Sequence, residues 1–77
     1  MKTLIASNKV PKGKSAVIRQ IQGDLTFISN LRQMGFGESA DIKKFGTDAH
    51  RCIILNKKGN KICLSNSAAE CILVEIL

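Results

Sequence analysis

Few residues in this chain could do chemistry, and their spacing argues against a reactive centre. The single histidine, His50, has Asp48 two positions before it. An imidazole beside a carboxylate could act as a general base, but no nucleophile is placed with the pair. Three cysteines are present, Cys52, Cys63 and Cys71. No Cys-x-x-Cys pair exists, and a lone histidine just before Cys52 does not complete a zinc pattern. An odd count also argues against a disulfide framework, so the expectation is three small buried apolar residues in a reducing compartment. Asp24, Glu38, Asp41, Asp48, Glu70 and Glu75 are too scattered for a hard cation. Gly35-Phe36-Gly37 lacks the glycine spacing and the Lys-Ser/Thr of a phosphate loop. The sequence therefore predicts no catalytic set, no metal site and no cofactor.

Charge offers a different lead. Twelve lysines and arginines against six acids give a formal charge of +6 over 77 residues. Such a field favours an acidic partner: a membrane surface, a nucleic acid or an acidic protein face. No basic run exceeds two residues, Tyr and Trp are absent, and only three Phe are present, so platforms for stacking bases are poorly supplied. The candidate partner-binding residues are Lys43, Lys44, Phe45, Arg51, Lys57 and Lys58, which share a side if adjacent strands carry them. Phe36 is a further candidate, packing inward as a hydrophobic closure or lining an exposed groove. The competing reading of the basic residues is a solvated charged face. The N-terminus is too short in its apolar part to be a signal peptide, and no apolar run approaches the roughly 20 residues needed to span a bilayer. A soluble cytoplasmic protein is expected.

The elements that must position these residues are short. Phe27, Ile28, Leu31 and Met34 recur at spacings of three and four, which predicts a helix over 25–34 with Asp24 as N-cap. Gly35 follows as a left-handed stop. Beyond it Ala40, Ile42 and Lys44 alternate with Asp41, Lys43 and Phe45, the period of a strand, before a polar loop over 46–50. Residues 15–21 read as a strand with apolar groups on both faces, entered through the Pro11-Lys12-Gly13 turn. Residues 51–56 and 61–65 form a hairpin around Lys57-Lys58-Gly59-Asn60. Residues 65–70 read as a capped single helical turn, with Ser67-x-x-Glu70 matching the capping box, and 71–77 as the last strand. Residues 1–9 read as a polar leader before one domain over 10–77. The sum is an all-β fold, a small SH3-like barrel of about five strands with one inserted helix and a helical turn before the last strand.

Three segments carry a family resemblance. They are Pro11-Lys12-Gly13-Lys14-Ser15-Ala16-Val17-Ile18, Leu31-x-x-Met34-Gly35-Phe36, and Ile62-Cys63-Leu64 followed by Ala69-x-x-Ile72-x-Val74. In this order the chain resembles the ferrous iron transport protein A (FeoA) family from about Val10 to Ile76. It departs at Glu38-Ser39, where family members usually carry Pro-Gly. Cys63 stands where the family tends to have a small apolar residue. The resemblance implies an SH3-like fold, no enzymatic activity, and a small cytoplasmic accessory of ferrous iron uptake. The implied partner is the ferrous iron membrane transporter with its cytosolic GTPase-like domain, bound through a hydrophobic groove rimmed with basic residues, and no nucleic acid is expected. Two alternatives remain: an SH3-like interaction module like the C-terminal domain of metal-dependent repressors, and a basic nucleic-acid-binding barrel.

Overall fold

Apolar residues on both faces of the 15–21 segment require neighbours on both sides, and the structure supplies them. The computed structural model describes residues 3–47 and 51–77; Asp48 and His50 lie outside the described residues. Six strands form one antiparallel sheet: β1 (Ile5–Ala6), β2 (Ser15–Ile21), β3 (Asp41–Thr47), β4 (Arg51–Asn56), β5 (Lys61–Ser65) and β6 (Ile72–Ile76). Their order is β1-β6-β2-β3-β4-β5. Helix α1 (Leu25–Gln33) joins β2 to β3, and the short α2 (Asn66–Glu70) joins β5 to β6. The sheet curls around Ala16, Ile18, Ile42, Cys52, Ile54 and Val74, all buried. This is the expected SH3-like fold with one strand more than anticipated.

Helix α1 is set at both ends by its own sequence. The Asp24 carboxylate accepts from the Phe27 N–H at 2.8 Å, as expected for its N-cap. At the other end Gly35 takes φ +87°, its N–H donates to Arg32 O (3.1 Å), and the Phe36 N–H donates to Leu31 O (2.8 Å). This pair of bonds is a Schellman closure, and it carries a hydrophobic contact with it. Phe36 is turned straight into the core with Leu31 and is fully buried.

The exit that follows is where Glu38-Ser39 departs from the usual Pro-Gly. The Ala40 N–H donates to Gly37 O (3.1 Å), closing a β-turn whose third residue, Ser39, has φ +69°. A left-handed third residue is the geometry that normally selects glycine. The Ser39 N–H also donates to Ile18 O at 2.6 Å, which fixes the turn against β2. The strained residue is thus retained because its backbone is tied at that point.

Four expectations are corrected. Residues 5–9 belong to the fold: Ile5 and Ala6 pair with Val74 and Leu73, and the buried Ser7 hydroxyl donates to Ala69 O at 2.7 Å. The helical turn over 65–70 is present as α2, but its cap is Ser65, whose Oγ accepts from the Ala68 N–H at 3.2 Å, and not the expected Ser67. Cys63 is exposed, because β5 alternation sends Ile62 and Leu64 inward instead. Lys44 is 2% exposed, with its ammonium donating to the carbonyls of Ser7 (3.4 Å), Asn8 (3.2 Å) and Val10 (3.3 Å). It therefore fastens the N-terminal segment from inside.

Two outcomes follow. Lys44→Met removes the donor that the three carbonyls share, so equilibrium urea unfolding should show a loss of about 2–4 kcal/mol. Amide exchange should accelerate first at residues 7–10. Ser39→Gly relieves the left-handed strain, which is worth about 1 kcal/mol, and should raise Tm by about 4–8 °C in a thermal melt. An unchanged Tm would mean that the turn is not strained.

Candidate partner-binding surface

Strand alternation decides which charged residues meet. On β4, Arg51, Ile53 and Leu55 face outward while Cys52 and Ile54 are buried; on β5, Lys61, Cys63 and Ser65 face outward. In β3 the register shifts between Lys44 and Gly46, which leaves Phe45 as the extra residue of a bulge. Lys44 therefore points into the core and Phe45 outward, 50% exposed. Cross-strand pairing then sets Lys43, Leu55 and Lys61 in one row over β3, β4 and β5. The next row holds Ile53 opposite Cys63. The Lys61 ammonium lies 4.9 Å from the centroid of the Phe45 ring, a cation–π contact that spans Leu55. The outer face is thus an apolar patch of Phe45, Ile53 and Leu55 with Lys43 and Lys61 beside it.

The hairpin tip extends this face. Asn56 shapes the tip: its side-chain oxygen accepts from Lys58 N (3.0 Å) and Asn60 N (2.9 Å), and its amide nitrogen donates to Met34 O (3.1 Å). The tip is thereby tied to the C-terminus of α1. Lys57 forms an ion pair with Asp41 at 2.9 Å across a recess of about 360 Å³ that Lys43, Leu55 and Leu77 also line. An exposed pair of this kind contributes little to stability, but it neutralises one of the two lysines at the recess. Lys58 borders a smaller hollow beside Gly35 and Ala40. Glu75 and Glu38 are held by Arg19 (2.9 Å) and Arg32 (3.0 Å), and Asp41, which lines the recess with Lys43, is paired with Lys57.

The structure therefore brings together Lys43, Phe45 and Lys57, with Lys58 just beyond. Arg51 lies on the same face at the opposite end of β4, roughly 20 Å from Lys57 at about 3.3 Å per strand residue. Phe36 and Lys44 are removed from the surface by burial. Sequence reasoning missed Lys61, Ile53 and Leu55. The signal was available in the alternation of 51–55 and 61–65 across a hairpin that was itself recognised. Among the described residues no group of three His, Cys, Asp or Glu gathers as a metal site. The three thiols are free, with Cys52 buried, Cys63 exposed and Cys71 half-buried.

Comparison with known proteins agrees with this architecture. The FeoA domain matches residues 8–76. No curated protein matches the chain in sequence. Among solved structures, an iron uptake regulatory protein (FeoA) is similar at TM-score 0.85 and 18% identity, over 97% of this chain and 100% of its own. The FeoA protein of Chlorobium tepidum is similar at TM-score 0.83 and 18% identity, over 100% of this chain and 70% of that one. A manganese-dependent transcriptional repressor shares the fold at TM-score 0.86 and 14% identity, but this chain spans only 44% of it. At such identities the likeness establishes the fold, while the domain match covers nearly every residue. The chain belongs to the FeoA domain family.

Proposed function

We propose that this protein is a small accessory of ferrous iron uptake that binds the cytosolic part of the ferrous iron membrane transporter and modulates it. Family membership supplies the link to ferrous iron uptake. The observation that supports binding is the outer face of β3, β4 and β5, where exposed Phe45 and half-buried Ile53 and Leu55 adjoin Lys43 and Lys61. An apolar centre with a basic margin suits an acidic protein surface: the aromatic group contributes desolvated area, and the cations speed and orient encounter. Among the described residues no helix is long and apolar enough to cross a membrane, so contact with the transporter would be made from outside the bilayer. Modulation follows when the protein binds one conformation of the transporter's GTPase-like domain more tightly than another, because only differential affinity moves such an equilibrium.

The likeness to the manganese-dependent repressor favours a second reading, in which the domain is an interaction module of the kind joined to larger proteins. The two readings share the surface and differ in the partner.

Direct binding of the purified protein to the transporter's cytosolic domain, with and without guanine nucleotide, separates them. Saturable binding that differs between nucleotide states is expected. Phe45→Ala should weaken it by about tenfold or more, the usual size for an aromatic anchor. Lys57→Ala, already paired with Asp41, should change it little. Absence of binding in every nucleotide state overturns the reading. The double change Lys43→Glu with Lys61→Glu should slow association by about tenfold or more, with less effect on dissociation. An unchanged association rate would remove the cations from the contact, and tighter binding to DNA or RNA than to the transporter domain would favour the nucleic-acid alternative.

A further inference from the structure

The sheet ends at β5 with an unpaired edge. At the hairpin mouth the Asn56 N–H donates to Asn60 O at 2.9 Å. Hydrogen-bonded positions recur at every second residue of an antiparallel pair. With Ile54 opposite Ile62 and Cys52 opposite Leu64, those two β5 residues turn their N–H and C=O groups toward β4. Lys61 and Cys63 consequently turn theirs away from the sheet, and no described residue takes them up. Past this edge runs a groove of about 410 Å³. Its far wall is α1, through Phe27, Leu31 and Met34, and its near wall is Ile62 and Leu64. Met34 is 43% exposed there.

We propose that this groove receives an extended acidic segment of a partner protein, which adds to β5 as a further strand. Added strands pair about 4.8 Å from the edge, so the segment would lie between β5 and α1 and take up the free groups of Lys61 and Cys63. Its side chains then alternate. One set faces the apolar wall of Phe27, Met34 and Leu64, and the other emerges on the outer face beside Lys61 with Lys43 in the same row. Charge selects the occupant. A second copy of this chain would bring a net charge of +6 and its own Lys61 against the same edge. Lipid headgroups and nucleic acid offer anions but have no alternating apolar side chains for the groove. A segment with apolar residues at alternate positions and acids between satisfies both walls. This proposal concerns the mode of binding and does not require the partner to be the transporter.

The test uses a fluorescent eight-residue peptide alternating Leu and Glu, titrated with the full chain. Saturable binding is expected, and a peptide with Lys in place of Glu should bind at least tenfold more weakly. Methylating the backbone nitrogens that face β5 should reduce affinity by a similar factor. On the protein, Cys63→Pro removes one outward N–H at an edge position where proline is tolerated, and should reduce binding while Cys63→Ser preserves it. The methylated peptide reads the same bonds without any change to the protein, so it decides the matter if Cys63→Pro does not fold. Equal affinity for the parent and methylated peptides, or for the Glu and Lys peptides, overturns the proposal. Concentration-dependent dimerisation blocked by Cys63→Pro also overturns it, by assigning the edge to a second copy. A chain that takes the peptide but ignores the transporter domain keeps this inference and removes the reading above.

Discussion

An ammonium group inside a 77-residue barrel is the constraint on which much of this structure rests. A buried charge without compensation would be among the costliest features a small domain could carry. Lys44 avoids that cost by gathering the carbonyls of Ser7, Asn8 and Val10, dipoles that a chain segment at the sheet's margin would otherwise leave partly unmet. Ser7 also accepts from Val10 N and receives the Cys52 thiol, while its hydroxyl reaches Ala69. One short turn is thus held by β3, β4 and α2 together. The arrangement explains why a strand as small as β1 persists: its two residues are delivered to β6 by a segment already fixed from within.

The same strand that buries Ile42 and Lys44 exposes Lys43 and Phe45, so alternation along β3 separates its stabilising side chains from its surface ones. Lys43 and Phe45 are thereby left on the surface and are not needed for the core. The surface they help build depends on neighbours in space far more than on neighbours in sequence, since Leu55 and Lys61 enter it only through hairpin register. Its positive character persists because the carboxylates described nearby are already engaged by Arg19, Arg32 and Lys57.

Local signals proved the legible ones. The β4–β5 hairpin could be read because branched residues flank a glycine-bearing turn, and the end of α1 because Gly35 marks a change of period. Long-range partnerships were not legible. Ile5 and Ser7 look like part of a polar leader until Val74 and Ala69 are known to lie beside them. Lys44 is the instructive case: period two placed it on the face of Ile42, whereas its charge argued for solvent, and the period prevailed because three carbonyls met the charge. Ser67 and Glu70 fit the letter of a capping box, yet Ser65 stood nearer the strand end and took the role. The make-up of the outer face of β3, β4 and β5 was half legible, with the lysines suggested by composition and the apolar centre concealed in alternation.

The place of β6 carries a consequence for synthesis. The last strand lies between β1 and β2, the first two, so the sheet stays divided until the C-terminal residues arrive. While a ribosome still holds that segment, the β2 edge meant for β6 and the whole of β1 have nothing to pair with. Long-range pairing of this kind delays closure and exposes strand edges meanwhile. The β4–β5 hairpin, complete in itself, can form before β6 is available, but β1 joins the sheet only when β6 pairs with it. The strand made last is thus the one that joins the N-terminal strand to the rest of the sheet.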